Sequence, residues 1–108
     1  MNLDIRGRNI SLTEGLRSHI ERRLGFALGR FGSAVGPVLV RFGDDNGPRG
    51  GEDKSLTCVA RLGDSEVVIE ETGADLYAAI DRAADRLSHA VSRRLARRRD
   101  LRQAAPAQ

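Results

Sequence analysis

The sequence predicts a small α+β domain with the element order β-α-β-β-β-α, in which two helices cover one face of a four-stranded sheet. Four short segments alternate apolar and polar residues, which is typical of half-buried strands. Two longer segments repeat apolar residues every three or four positions, which is typical of amphipathic helices. The chain has 108 residues, of which 40% are hydrophobic, so it can bury one modest core. We expect one domain over residues 1–102, followed by a disordered tail over residues 103–108.

The predicted strands differ in how they end. Gly7 closes the first strand, whereas Gly63-Asp64 is a tight-turn signal that should join the third and fourth strands in a hairpin. Glu71 shares the inward phase of the fourth strand, so we place it at a frayed strand end. Glycine, aspartate and asparagine predict a flexible loop over residues 43–54. The four strands are predicted over residues 2–6, 38–42, 56–62 and 65–72.

The two helices are predicted from their capping residues and apolar stripes. Ser11 or Thr13 can cap the first helix, and Ser11 followed by Glu14 matches a capping box. This helix should run to about Phe31, and the second helix should cover residues 75–102. The apolar stripe of the first helix is Leu16, Ile20, Leu24, Ala27, Leu28 and Phe31. The stripe of the second helix is Leu76, Ile80, Ala84, Leu87, Val91 and Leu95.

Arginine dominates the basic residues. Of the 18 Lys and Arg residues, Lys54 is the single lysine. Arginine keeps its charge at any working pH and can bind a phosphate through two parallel hydrogen bonds. Between residues 86 and 99 the second helix has six arginines and one histidine but no acidic residue. A helix dipole accounts for basic residues only in the last turn, so the longer run favours a polyanionic partner, a nucleic acid, over a merely solvated face.

The basic residues of the second helix share faces away from its apolar stripe. From their spacing, the candidate RNA-binding residues are Arg82, Arg86, His89, Arg93, Arg94, Arg97 and Arg99. The aromatic residues can be assigned to the core, so we expect no exposed ring that stacks on single-stranded bases. These aromatic residues are Phe26, Phe31, Phe42 and Tyr77. Arginines on rigid helices instead favour the phosphates of a folded RNA.

Catalytic and metal-binding chemistry has little support. His19 and His89 have no Cys, Ser or second His at a spacing that builds a triad, and His19 is expected to be a half-buried packing or capping residue. Cys58 alternates with apolar residues, so a buried structural thiol is favoured over a nucleophile. One cysteine and two separated histidines cannot complete a tetrahedral metal site. We therefore expect no enzymatic activity, no cofactor and no small-molecule substrate.

Targeting signals are absent from the sequence. The N-terminus has no apolar signal-peptide segment, and no run approaches the roughly 20 apolar residues that span a bilayer. A single cysteine cannot form an internal disulfide, which favours a reducing compartment. We expect a cytoplasmic protein that does not bind membranes.

Two segments resemble the signatures of a known family. Residues 7–17, GRNISLTEGLR, resemble the opening signature of the ribosome hibernation-promoting factor family, also called the ribosome-associated inhibitor or sigma modulation family. Residues 75–81, DLYAAID, are similar to its second signature, at the start of the last helix. The resemblance covers about residues 1–102. It implies a fold similar to double-stranded-RNA-binding domains, and binding in the mRNA and tRNA channel of the small ribosomal subunit, which inhibits translation and preserves idle ribosomes.

The resemblance also implies partners and site residues. The partners are the small subunit and its rRNA. The positions that match the family's basic residues are Arg22 and Arg23 on the first helix and Arg86, Arg93, Arg97 and Arg99 on the second. Leu95 stands where a basic residue is common, and Arg82 adds a charge where one is unusual. The length resembles the short members, which lack a C-terminal dimerisation domain, so we expect a monomer in solution.

Three other functions are compatible with parts of the sequence. A generic double-stranded-RNA-binding module would bind free RNA duplexes with similar affinity. A regulator that contacts a sigma factor would bind with less dependence on salt and without rRNA. An enzyme on a small α/β scaffold is disfavoured because no acid–base or nucleophile set is present.

Overall fold

The computed structural model describes residues 2–44 and 54–104, with side chains described as far as Leu101. The elements are β1 (Leu3–Arg8), α1 (Glu14–Leu28), a short 3₁₀ segment (Gly29–Ala34), β2 (Val38–Asp44), β3 (Lys54–Leu62), β4 (Ser65–Gly73) and α2 (Leu76–Ala104). The strands form one sheet in the order β1-β2-β3-β4. The predicted α+β class and element order are therefore confirmed.

The connections determine how the strands pair. β1 and β2 run parallel, with Leu3 opposite Val38, because α1 forms the long crossover that parallel neighbours require. β2–β3 and β3–β4 are antiparallel. The predicted hairpin joins β3 to β4, with Leu62 opposite Ser65. Gly63 has a φ of 65°, as expected for the first central residue of a type II′ turn, where glycine avoids strain.

The core lies between the sheet and the two helices. The inward side chains of the sheet are those in phase with Val38, Val40, Leu56 and Cys58, and all four of these are buried. Both helices place their predicted stripes against this face. Ala27, Phe31 and Leu95 are partly buried at its margin. The stripe residues that are fully buried are Leu16, Ile20, Leu24, Leu28, Leu76, Ile80, Ala84, Leu87 and Val91.

Several element ends differ from the predictions. β1 continues past Gly7 to Arg8, and β2 and β3 extend into the predicted loop, where Asp44 and Lys54 form an ion pair of 3.3 Å across the strands. Residues 45–53 of that loop lie outside the described residues. α2 reaches Ala104, two residues into the predicted tail, of which residues 105–108 also lie outside the described part.

The first helix is capped by one of the two predicted residues and ends earlier than predicted. The Thr13 side-chain oxygen accepts a hydrogen bond from the backbone N–H of Leu16 at 3.1 Å, so Thr13 is the N-cap. The capping box predicted for Ser11 and Glu14 is therefore wrong. α1 also ends before Phe31, because the chain changes to a 3₁₀ segment that is broken at Gly32, where φ is 57°.

Two aromatic residues that were assigned to the core lie on the surface. The side chain of Phe26 is 86% exposed, and that of Tyr77 is 43% exposed. Phe26 lies two residues from both Leu24 and Leu28, and two positions correspond to about 200° around a helix, so it points away from the core. The prediction that no aromatic ring is exposed is wrong.

Candidate nucleic-acid interface

Three of the predicted RNA-binding arginines reach the free edge of the sheet. β4 is an edge strand, and its outward carbonyls would otherwise have no strand partner. The guanidinium groups of α2 donate hydrogen bonds to three of these carbonyls. The bonds are Arg82 to Thr72 (3.0 Å), Arg86 to Glu70 (2.7 Å) and Arg94 to Glu66 (3.4 Å). Part of the basic surface of α2 therefore protects a sheet edge.

Glu71 neutralises part of the same surface. Its carboxylate is 13% exposed and lies 2.7 Å from Nη1 of Arg86 and 2.9 Å from Nε of Arg82. The hydrogen bond from Arg86, followed by that from Arg82, lowers the pKa of Glu71 below its ordinary value, against the opposing effect of burial. Glu71 lies within β4 opposite Leu56, so its predicted place at a frayed strand end is wrong.

The C-terminal half of α2 carries arginines of a different kind. Arg93, Arg97 and Arg99 are exposed. They form no hydrogen bond or ion pair with any residue in the described ranges 2–44 and 54–104. Their neighbour Leu95 packs against the edge of the core, which explains why an apolar residue stands at that position. Among the described residues of α2, these three guanidinium groups are exposed and have no protein partner.

His89 is exposed on α2 but has a local partner. Its ring Nδ1 lies 2.9 Å from the backbone carbonyl of Asp85, one turn earlier. The ring is thus held against its own helix, beside Arg86 and Arg93 in the basic row.

The two predicted arginines of α1 have different surroundings. Arg22 is exposed, and among the described residues its one hydrogen bond goes to the hydroxyl of Ser18 on its own helix, at 3.2 Å. Arg23 is half-buried, with its Nε 3.0 Å from a carboxylate oxygen of Asp81 on α2. Arg22 can therefore meet a phosphate directly, whereas Arg23 joins the two helices.

The seam between the helices contains the half-buried histidine that the sequence predicted. His19 Nε2 lies 2.8 Å from the same Asp81 oxygen. The centroids of the His19 and Tyr77 rings are 4.9 Å apart. One carboxylate oxygen of Asp81 thus lies within ion-pair distance of both His19 and Arg23. This cluster holds the start of α2 against α1.

Three features of the surface lie outside the predicted set of RNA-binding residues. Arg30 follows α1 and donates to the hydroxyl of Ser88 on α2 at 3.2 Å, with its guanidinium carbon 4.5 Å from the centroid of Phe31. Arg98 donates to the carbonyl of Leu62 at 3.0 Å and holds α2 to the hairpin. The third feature, exposed Phe26, could have been found from its phase on α1.

A further set of arginines lies on the strands. Arg6 and Arg41 are paired in the register of β1 and β2 and belong to the outward phase of the sheet. With Arg8 they line a groove of about 330 Å³. The polar positions in the alternating pattern of each strand were the sequence signal that could have identified these arginines.

Cys58 is buried in the core. Burial raises the pKa of the Cys58 thiol to about 12, so the predicted structural thiol is confirmed. Within residues 2–44 and 54–104, no three His, Cys, Asp or Glu side chains gather in a way that could hold a metal ion. Over the same ranges, neither helix is both long and apolar enough to cross a membrane.

Comparison with known proteins agrees with this architecture. A sequence profile of the family described as "Sigma 54 modulation protein / S30EA ribosomal protein" matches residues 3–99. The chain is similar to the N-terminal domain of Protein Y from Thermus thermophilus, with 32% identity and a TM-score of 0.72 over 86% of this chain and 98% of that one. It is also similar in fold to a ribosomal subunit interface protein from Coxiella burnetii, with 17% identity and a TM-score of 0.73 over 89% and 99% of the two chains. No match was found among curated proteins.

Family membership follows from the extent of these matches. The profile covers nearly the whole described domain, from β1 to the basic half of α2. The two segments that resembled the family signatures lie at the β1–α1 junction and at the start of α2. The chain therefore belongs to the Sigma 54 modulation protein / S30EA ribosomal protein family, the ribosome hibernation-promoting factors that its two signature segments predicted.

Proposed function

We propose that this protein binds the small ribosomal subunit in the channel for mRNA and tRNA, and that it inhibits translation and preserves idle ribosomes in the cytoplasm. Membership of a ribosome-associated family supports this proposal. The observation that carries it for this chain is the row of exposed arginines on α2, Arg93, Arg97 and Arg99, which have no partner among the described residues. Three cations held on one rigid helix repel one another, and an RNA backbone relieves that repulsion.

The nine predicted RNA-binding residues divide into two roles. Arg22, Arg93, Arg97 and Arg99 contact phosphates directly, because their guanidinium groups face solvent. The other five are Arg23, Arg82, Arg86, His89 and Arg94, and each has a partner within the fold. These five shape the surface and add long-range positive potential, since an arginine that bonds a carbonyl keeps its charge.

The proposed inhibition is steric and needs no chemical step. Arginine–phosphate contacts position a protein on RNA without reading sequence, so the rigid helices would recognise the shape of folded rRNA. A domain seated in the channel excludes mRNA and initiator tRNA from the same space. The whole of residues 1–102 acts as one binding domain in this proposal, and a monomer suffices.

Co-sedimentation with purified small subunits and ribosomes on sucrose gradients tests the proposal. We expect binding at low salt that weakens as salt rises, because phosphate contacts release counterions, and competition by mRNA and initiator tRNA. Failure to sediment with ribosomes at low salt would overturn it. Equal affinity for a free RNA duplex would instead favour the generic double-stranded-RNA-binding module. Binding to a sigma factor in the absence of ribosomes would favour the regulatory alternative.

A further inference from the structure

We propose that Phe26 and the groove beside it bind one unpaired base of RNA, with the Phe26 ring as the stacking platform. The inference deepens the proposed function, on which it rests, because it names a base contact within an interface otherwise made of phosphate contacts. It also replaces the expectation that this chain offers no aromatic ring to RNA.

The exposure of Phe26 is the first observation. Its side chain is 86% exposed, the largest exposure among the large hydrophobic residues of the described chain. The exposed phenyl ring does not contribute to the core, because α1 already buries four apolar residues on its opposite face. Aromatic rings on RNA-binding proteins stack on unpaired bases because every base has a π face.

The charge around Phe26 selects the partner. Arg22 and Arg23 lie four and three residues before Phe26 on α1, so they share its side of the helix, and Arg30 lines the same groove as Phe26. An apolar protein surface or a lipid tail would have to desolvate these guanidinium groups. A nucleotide fits both features, because its base is apolar on its faces and is flanked by phosphates.

A groove between the helices lies next to the ring. It has a volume of about 330 Å³ and is lined by Phe26, Arg23, Arg30, Asp85 and Ser88, with Ala27 and Ala84 as small residues on either side. The two alanines allow a flat ring to approach the helix backbones closely. The groove therefore offers a stacking wall, two cations and two polar groups that can meet the edge of a base.

Asp85 gives the groove a base preference. It is exposed, and a carboxylate accepts hydrogen bonds from exocyclic amino groups, such as N4 of cytosine. Uracil has no exocyclic amino group, and its one donor on that edge, N3–H, lies between two carbonyl oxygens that a carboxylate repels. We therefore infer that adenine, cytosine or guanine is preferred over uracil.

A tryptophan at position 26 provides a direct probe. The chain contains no Trp, so Phe26→Trp introduces a single indole whose fluorescence is quenched when a base stacks on it. Titration with small subunits, and with short single-stranded oligo(A), oligo(C) and oligo(U), should quench this signal, with oligo(U) weakest. Asp85→Asn in the same background should reduce the difference between oligo(C) and oligo(U).

Matched variants separate stacking from apolar packing. Phe26→Ala and Phe26→Leu should weaken ribosome binding by about tenfold or more, while Phe26→Tyr should bind like the parent. Leucine keeps apolar volume but has no π face, so it is the decisive control. The salt dependence of these variants should stay parallel to that of the parent, because Phe26 contacts no phosphate.

The outcomes distinguish this inference from the proposed function. If the parent binds ribosomes but Phe26→Ala binds equally well and the indole signal is unchanged, base stacking is wrong and the proposed function stands. If Phe26→Leu binds like the parent, the contact is apolar packing and the inference is also overturned. If Phe26→Ala changes the sedimentation coefficient of the free protein, the ring belongs to a contact between copies of this chain. If the parent does not bind ribosomes, the proposed function fails. Quenching of the Phe26→Trp fluorescence by the oligonucleotides then supports the base site, and no quenching overturns it.

Discussion

Glu71 accepts a hydrogen bond from Arg86 at 2.7 Å and joins the fourth strand to the last helix. The same carboxylate accepts a hydrogen bond from Arg82 at 2.9 Å. Two members of the basic row are therefore partnered within the fold, although their spacing on α2 matches that of Arg93 and Arg97. The positive charge of this helix stabilises the domain at Arg82 and Arg86, whereas the guanidinium groups of Arg93 and Arg97 remain exposed.

Replacing Glu71 with Gln should destabilise the protein in a pH-dependent way. The pKa of Glu71 is lowered in the folded state, so its contribution is complete above the ordinary glutamate value of about 4.3 and is lost as the pH falls through the lower folded value. Because both arginines are about half exposed, we expect a loss of about 0.5–1 kcal/mol near neutral pH. Urea unfolding of parent and variant from pH 7 to pH 3 measures this difference.

The control for Glu71 is a change of one charge elsewhere on α2. Arg93→Ala removes an arginine from the same helix without breaking a bond to β4, so its stability should match that of the parent at every pH. A difference between Glu71→Gln and the parent that persists unchanged at pH 3 would show that the ion pairs are not its source.

Replacing Arg93 and Arg97 together with Ala should weaken ribosome binding and leave the fold intact. The slope of log K against log salt should become shallower by about 0.7–0.9 for each phosphate that the variant no longer binds. The unfolding free energy should stay level or rise slightly, because like charges are removed. Co-sedimentation across a salt series gives the slope, and urea unfolding gives the stability.

The pair Arg6→Ala and Arg41→Ala is the matched control. It removes the same two charges from the outward phase of the sheet, on the face away from the helices. Equal decreases in affinity in the two double variants would mean that net charge alone drives binding, and the assignment to α2 would be wrong.

Leu87→Ala should be strongly destabilising. Leu87 is 0% exposed at the centre of the α2 stripe, and a cavity of this kind costs about 2–5 kcal/mol. Leu101→Ala on the exposed end of the same helix should cost little, since that side chain is solvent-facing. Chemical denaturation of both variants checks the orientation of α2, and similar costs would contradict it.

Replacing either of two glycines with alanine should change the stability of the protein, in opposite directions. A Cβ at Gly7 would lie 2.7 Å from both the Phe42 ring and the carbonyl of Ile10, whereas a Cβ at Gly25 would meet nothing within 4 Å. Gly25→Ala should stabilise α1 by about 0.5–1 kcal/mol, because glycine inside a helix carries an entropic cost. Gly7→Ala should lower the melting temperature, since either the ring or the β1–α1 turn must move. A stable Gly7→Ala variant would contradict the close packing of β1 against Phe42.

The sequence alone was sufficient for the element order and most of the core. Leu87 and Val91 were placed correctly because burial on a helix follows a period of 3.6 residues, which is a local property. Cys58 was placed correctly for the same reason on a strand, where the period is two. The Gly63-Asp64 turn was also predictable, because its conformation depends on glycine at one position.

Local reasoning was insufficient where neighbours distant in sequence decide the environment. The exposure of Phe26 is not such a case, because its phase on α1, opposite Leu24, was enough to predict it, and its assignment to the core by residue type was wrong. The groove beside it exists only because α1 packs against α2, which brings Asp85 and Ser88 to its wall.

The division of the arginines needed the tertiary structure. Arg86 and Arg93 are seven residues apart and lie at nearly the same angle on α2, so the sequence treats them alike. The sheet reaches only the first of them, because β4 presents Glu71 beside Arg86. The sequence thus determined that α2 carries an excess of positive charge, while the packing of β4 against α2 decided which of those charges remain available. The physical reason is that periodicity is set by adjacent residues, whereas an ion pair depends on the distance between side chains from separate elements.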